Sequence, residues 1–125
     1  MDKAPFFGTA PVLVVTDVRK TAEYYRDILG FTIIGLVGDL PVYGMVGRDG
    51  FQVHFAKSDS QAIPINKAYR SISPDFIIWV PEIDQFFEEL TTRNATILEG
   101  IVQRPYGSRE FLIEDCDGHR ILIGD

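Results

Sequence analysis

The side chains that could do chemistry in this sequence lie at alternate positions of strand-like segments: Gln52, His54, Asp75, Trp79 and Arg120. An imidazole beside a carboxylate can act as a general base with an orienting group, or the two can supply ligands to a metal ion. A tryptophan beside a carboxylate can instead hold a flat or cationic molecule against its ring face. The elements that position these side chains decide between the two chemistries.

Strand alternation separates the polar side chains from the apolar core. In the run 51–55, Val53 and Phe55 form the apolar pair that would meet a helix, so Gln52 and His54 face the other way. In the runs 75–80 and 119–123 the same alternation places Asp75, Trp79 and Arg120 on the face away from the helix. We therefore expect one groove, on the sheet face away from the helices, lined by Trp79, His54, Gln52, Asp75 and Arg120 and closed by Tyr43, Phe51 or Tyr106.

The chain contains two copies of one β-α-β unit. An apolar run leads into Asp17-Val18, and a matching run leads into Glu82-Ile83 at an offset of 65 residues. Asp49-Gly50 and Asp117-Gly118, offset by 68, each introduce another strand-like run. The repeat predicts helices that start near Asp17 and Glu82 and an α+β fold.

Local signals place the elements within each copy. Asp17 is a helix N-cap candidate, and Gly30 ends the predicted helix, whose inward face carries Val18, Ala22, Tyr25 and Leu29. A second helix is expected over about 83–93. Strands are expected over 11–16, 31–37, 42–46 and 51–56, and again over 75–80, 96–99, 109–114 and 119–123.

Composition narrows the function classes. At 125 residues the chain fits one domain, with a first module at about 8–57, a linker at 58–73 and a second module at about 74–125. The net charge of −6 argues against a nucleic-acid partner, since such affinity comes largely from clustered Lys and Arg. The apolar runs are strand-sized and no signal peptide is evident, so we expect a cytoplasmic protein without membrane contact.

Several residues have structural interpretations. Cys116, the single cysteine, excludes an internal disulfide, and neighbouring carboxylates would raise its pKa, so it is a poor nucleophile. Arg109 and Glu110 are expected to anchor the preceding loop. His119 follows a turn, and we expect it to be exposed.

Four segments together resemble the glyoxalase/bleomycin resistance protein/dioxygenase superfamily, also called vicinal oxygen chelate. They are 11–18 (PVLVVTDV), 24–31 (YYRDILGF), 104–111 (RPYGSREF) and 115–119 (DCDGH). The stretch from Pro105 to Phe111 is similar to the bleomycin-resistance branch. The resemblance implies paired βαβββ modules that form a curved mixed sheet around a cavity with the helices outside. It also implies homodimers.

The resemblance further implies that the metal enzymes of the superfamily take ligands from the first and last strands of each module. Carried over, those positions are Ala10, His54, Asp75 and Leu122. Only His54 and Asp75 can donate, whereas a metal site needs three or four converging donors. We therefore expect no metal, no cofactor and no catalytic residue.

Three functions remain open. The first is a binding protein that sequesters an aromatic or cationic small molecule in a metal-free cavity, as the resemblance to bleomycin-resistance proteins implies. The same resemblance implies a role in antibiotic resistance. The second is a lyase, isomerase or dioxygenase that acts on a vicinal-oxygen substrate. The third is a dimer with no ligand. We expect a homodimer, with the arm containing Pro5, Phe6 and Phe7 crossing to the partner.

Overall fold

The computed structural model describes residues 2–71 and 73–125 as two modules, each with one helix and four strands. Met1 and Ile72, which belong to the predicted domain and linker, lie outside the described residues. The elements in chain order are β1 (Val12–Val15), α1 (Val18–Asp27), β2 (Thr32–Val37), β3 (Tyr43–Arg48), β4 (Phe51–Lys57), β5 (Phe76–Trp79), α2 (Ile83–Thr92), β6 (Thr96–Gln103), β7 (Arg109–Glu114) and β8 (Arg120–Gly124). The predicted α+β fold of paired βαβββ modules is confirmed.

The eight strands form two mixed sheets of the same topology. The first sheet has the order β1-β4-β3-β2 and the second the order β5-β8-β7-β6. In each, the module's first strand runs parallel to its last, and the other pairs are antiparallel. Val12 thus lies beside His54, and Ile77 lies beside Leu122.

Local sequence explains where α1 begins and ends. The carboxylate of Asp17 accepts a hydrogen bond of 3.1 Å from the backbone N–H of Lys20, which satisfies a free amide of the first turn. Gly30 takes a φ of +77°, a left-handed conformation that glycine adopts without steric cost, and turns the chain toward β2. Glu82 precedes α2 as predicted, although its side chain makes no capping hydrogen bond.

The buried apolar residues of both modules form one cluster on the helix-bearing sides of the sheets. Val18, Ala22 and Tyr25 contribute from α1 and Phe86 and Leu90 from α2. Polar contacts between the modules add to this shared apolar cluster. The face of each sheet away from its helix takes no part in these contacts among the described residues. The single chain therefore leaves two sheet faces without a covering layer.

Two strands end two or more residues beyond their predicted ends, and the other strand bounds agree with prediction to within one residue. Strand β3 runs on to Arg48 because Asp49 and Gly50, with φ of +54° and +85°, make a tight two-residue turn of the kind that suits hairpins. Strand β6 runs on to Gln103 because two register shifts carry the pairing with β7 past Gly100.

Within residues 2–71 and 73–125, neither helix is long and apolar enough to span a membrane.

Candidate functional site

The sheet faces away from the helices, here called the open faces, carry exposed apolar side chains. On the first sheet Val12 is 52% exposed, and on the second Trp79 is 71% exposed. Ile77, two residues before Trp79, is also exposed. A large indole exposed beside other exposed apolar side chains marks a surface that a partner or a ligand can cover.

On the open face of the first sheet, three polar side chains form a hydrogen-bonded chain. The Tyr43 hydroxyl lies 2.6 Å from Nδ1 of His54, and Nε2 of His54 lies 2.8 Å from Oε1 of Gln52. Because the Gln52 oxygen can only accept, Nε2 of His54 donates to it, while the Tyr43 hydroxyl can donate to Nδ1 or accept from it. The two contacts therefore hold the imidazole ring in one orientation.

This polar chain borders a groove of about 620 Å³ beneath the N-terminal arm. The arm residues Phe6 and Phe7 are almost fully exposed. The groove is lined by Pro5, Phe6, Phe7, Gly8, Thr9, Ala10, Gly50, Gln52 and His54. A cavity of this size is within the range that small-molecule sites occupy.

Asp75 and Arg120 lie together on the second sheet, but Asp75 is occupied by backbone. Its Oδ1 accepts from the Asn66 amide and its Oδ2 from the Arg120 amide, each at 2.8 Å. Nη1 of Arg120 donates to the Ser71 carbonyl at 3.1 Å, while its buried Nε has no hydrogen-bond partner among the described residues. Asp75 thus fastens the linker to β8, and its carboxylate is already used by that contact.

Trp79 and Tyr106 lie near the opposite end of the second sheet. The Tyr106 hydroxyl donates to Oε1 of Glu110 at 2.7 Å, and Nε of Arg104 donates to the same oxygen at 2.9 Å. Glu110 is 8% exposed and therefore anchors the loop before β7, as expected. Arg109 instead pairs with Asp84 of α2.

Phe51 lies on the opposite sheet face from Tyr43 and His54. It has the strand parity of Val53 and Phe55, which face the helix, and its cross-strand neighbour is Arg48. It borders a second groove of about 510 Å³ at the β3–β4 turn. The structure thus divides these predicted site residues into three groups. The groups are Tyr43 with His54 and Gln52, Asp75 with Arg120, and Trp79 with Tyr106.

The positions at which the superfamily's enzymes hold metal do not fit one here. Ala10 and Leu122 have no donor atom, and each oxygen of Asp75 already accepts a hydrogen bond from a backbone amide. Both ring nitrogens of His54 are engaged by Tyr43 and Gln52. Within a single chain His54 and Asp75 also belong to different sheets. No catalytic step can be derived through a metal at these positions.

Asp115, Asp117 and His119 form a second cluster of potential metal ligands, with donor atoms within 4.8 Å of one another. Their carboxylates already bind the first module, since Tyr25 donates to Asp115 and Thr21 to Asp117. His119 is 1% exposed, so the expectation of an exposed histidine is wrong. The His119 side chain is buried where the β7–β8 turn packs against α1. The cluster of Asp115, Asp117 and His119 therefore joins the two modules.

Cys116 lies in the same turn and is held as a thiol. Burial, followed by the charges of Asp117 and Asp115, raises its pKa to about 12. Its Sγ lies 3.6 Å from a carboxylate oxygen of Asp117. The thiolate needed for nucleophilic attack is therefore disfavoured.

Two residues absent from the predicted site lie beside Trp79. Gly124 of β8 is its register neighbour, and Glu110 of β7 is the register neighbour of Gly124. Counting outward from the Asp117-Gly118 turn pairs position 114 with 120 and position 110 with 124. The hairpin pattern in the sequence was therefore a sufficient signal for this neighbourhood.

Comparison with known proteins agrees with the fold. The family model "Glyoxalase/Bleomycin resistance protein/Dioxygenase superfamily" matches residues 9–123. Among curated proteins, metallothiol transferase FosB of Staphylococcus saprophyticus is 27% identical over 110 residues, which cover 87% of this chain and 70% of FosB.

Solved structures show the same architecture. A glyoxalase-related enzyme from Clostridium phytofermentans superimposes with a TM-score of 0.77 and 20% identity, covering 97% of this chain and 95% of its own. The bleomycin-binding protein of Streptomyces verticillus, in complex with copper(II)-bleomycin, gives 0.73 and 22%, covering 97% of each chain. TioX from Micromonospora sp. ML1 gives 0.75 and 19%, covering 94% and 96%. With its repeated modules, its sheet order and the match over residues 9–123, the chain belongs to the glyoxalase/bleomycin resistance protein/dioxygenase superfamily.

Proposed function

We propose that this protein binds and sequesters a flat aromatic or cationic small molecule in a metal-free cavity that a homodimer completes. The observation that carries the proposal is the pair of uncovered open faces, with Trp79 at 71% exposure on one of them. Small-molecule sites are mostly apolar, with a few fixed polar groups, and the two open faces supply these between them.

The way in which the modules are joined supports the homodimer. Tyr25 and Arg48 of the first module bind Asp115 and Glu89 of the second on the helix-bearing side. Among the described residues, no hydrogen bond or ion pair joins one open face to the other. A twofold partner can therefore lay its second sheet over the first sheet of this chain, and the arm with Phe6 and Phe7 can cover the seam.

The cavity chemistry favours an aromatic cation. Trp79 offers a ring face, which attracts a cation by about 0.5 to 2 kcal/mol depending on its desolvation. The net charge of −6 raises the local concentration of positive ligands and disfavours anions. Tyr43, His54 and Gln52 supply fixed hydrogen-bonding groups on the opposite wall.

The fold-level likeness to the bleomycin-binding protein of Streptomyces verticillus supports a binding role without specifying the ligand. An antibiotic of related chemistry is thus one class of ligand, and a role in resistance follows only if such a compound binds.

An enzymatic role is the second candidate, and the 27% identity to metallothiol transferase FosB favours it. In that case a vicinal-oxygen substrate would be handled by a lyase, isomerase or dioxygenase type of reaction. The donor set argues against the metal form of this chemistry, because Ala10 and Leu122 cannot act as ligands. One metal atom per chain in purified protein, lost in His54→Ala, would favour the enzyme.

Calorimetric titration with N-methylquinolinium, a flat aromatic cation, and with bleomycin tests the binding role. Trp79→Ala should weaken binding about tenfold or more, which corresponds to the loss of about 1.4 kcal/mol. Tyr69→Ala is the matched control, because Tyr69 is an exposed aromatic residue of the linker rather than of an open face. Equal binding by wild type and Trp79→Ala, or no binding of either compound, would contradict the proposal.

A further inference from the structure

A row of three residues crosses the second sheet at the C-terminal end of β5. Trp79 pairs with Gly124, and Gly124 pairs with Glu110, so the three side-chain positions are lateral neighbours on one face. With about 4.8 Å between strands, the Trp79 and Glu110 backbones are roughly 10 Å apart. The middle position has no side chain. The row is therefore a slot with an indole on one side and a carboxylate on the other.

The glycine keeps the slot open. A Cβ placed on Gly124 would lie 3.5 Å from Cδ1 of Trp79, 3.5 Å from Oγ of Ser108 and 3.7 Å from Cγ of Glu110. These are ordinary van der Waals distances, so an alanine would fit without strain and fill the floor of the slot. Sterics alone do not require glycine here.

The carboxylate beside the slot keeps one oxygen free. Oε1 of Glu110 accepts from Arg104 and Tyr106, which fixes the side chain in place. No described residue donates to its Oε2. Arg104 also pairs with Glu99 at 2.6 Å, so two carboxylates share one guanidinium and the group as a whole carries one negative charge.

We propose that Trp79, Gly124 and Glu110 form a subsite for the positively charged end of the ligand, with the cation over the indole and beside Oε2 of Glu110. The proposal rests on the binding function proposed above and names the group that gives it charge selectivity. It assigns that selectivity to Glu110 and not to Asp75, whose two oxygens are occupied by backbone amides. Cation–π attraction and a fixed carboxylate together disfavour anions at this end of the second sheet.

Three probes of similar shape and different charge test the subsite by calorimetry: N-methylquinolinium, 4-methylquinoline (neutral at about pH 8) and quinoline-4-carboxylate. Wild type should bind the cation most tightly and the anion least. Glu110→Gln should weaken binding of the cation about fivefold to tenfold and change binding of the neutral probe less than about twofold, because only the charge is removed.

Glu114→Gln is the matched control. Glu114 lies on the same strand and face as Glu110, four residues along and roughly 13 Å away, and it is also ion-paired, to Lys67. A general effect of protein charge would weaken cation binding equally in both variants, and that result would overturn the subsite.

Glu110→Gln could also weaken binding by loosening the loop before β7 that Glu110 anchors. Gly124→Ala tests the subsite while leaving the Glu110 carboxylate in place. Because the added methyl fits, this variant should keep the melting temperature of wild type. It should weaken binding of the cation about threefold or more. Unchanged cation affinity in Gly124→Ala would overturn the subsite.

The outcomes separate the two proposals. If all three probes bind equally and depend on Trp79, the binding function stands and the cation subsite fails. If none binds, both fail.

Discussion

The hydroxyl of Tyr25 donates to the carboxylate of Asp115 across 2.7 Å, and this buried hydrogen bond joins α1 of the first module to the β7–β8 turn of the second. Burial, followed by the charge and hydrogen bond of Asp115, raises the pKa of Tyr25 well above its ordinary value, so the phenol remains a donor at every working pH. The junction that orients the two sheets thus depends on a few polar groups.

Tyr25→Phe should lower the free energy of unfolding by about 1 to 3 kcal/mol, because it leaves a buried carboxylate oxygen without its donor. Urea denaturation with an unchanged m-value measures this loss. Tyr24→Phe is the control, since the Tyr24 hydroxyl donates to the Glu114 carbonyl across a long contact of 3.5 Å. An equal loss in both variants would show that the Asp115 contact is not special.

His119 should make stability depend on pH. Burial lowers its pKa, but contact with Asp115 and the charges of Asp115, Asp75 and Asp117 outweigh it, so the folded pKa is raised above the ordinary 6.5. Nδ1 lies 3.4 Å from Asp115 Oδ2, an ion pair when the ring is protonated. The resulting stabilisation is complete below about pH 6.5 and is lost as the pH rises through the folded pKa.

The measurement is the free energy of unfolding of wild type and His119→Gln across that pH range. The advantage of wild type should shrink as the pH rises. A wild-type advantage that grows with pH would contradict the ion pair.

The pair Arg48 and Glu89 also joins the modules and should contribute to stability. Two contacts of 2.8 and 2.9 Å make it bidentate, and Arg48 additionally lies 5.1 Å above the Phe86 ring. Both side chains are about a quarter exposed, so a double-mutant cycle of Arg48→Met and Glu89→Gln should give a coupling of only about 1 kcal/mol, reduced by salt. The exposed pair Arg26 and Asp27 should show no measurable coupling. Equal coupling in the two cycles would contradict this account.

The sequence predicts those parts of the fold that depend on neighbouring residues. Asp17 and Gly30 bound α1 through local hydrogen bonding and backbone conformation, and the two-residue period of a strand separates Gln52 and His54 from Val53. The same period also places Phe51 with the helix-facing residues.

Long-range contacts explain what the sequence does not predict. Asp75 is occupied by the amides of Asn66 and Arg120, and these meet it only after the linker folds back. His119 is buried because the turn that carries it packs on α1, 90 or more residues away in the chain. Whether a polar side chain is free to bind a ligand is decided by such contacts.

Subunit complementation tests the central claim, a cavity shared between two chains, most directly. Trp79→Ala disables the second sheet and His54→Ala the first, so each homodimer carries two damaged cavities. A heterodimer of the two variants, co-purified with two tags, would carry one intact cavity if the sheets come from different subunits. Titration with N-methylquinolinium should then give one site per dimer at wild-type affinity, whereas each parent binds at least about tenfold more weakly. A heterodimer that binds no better than its parents would contradict the account.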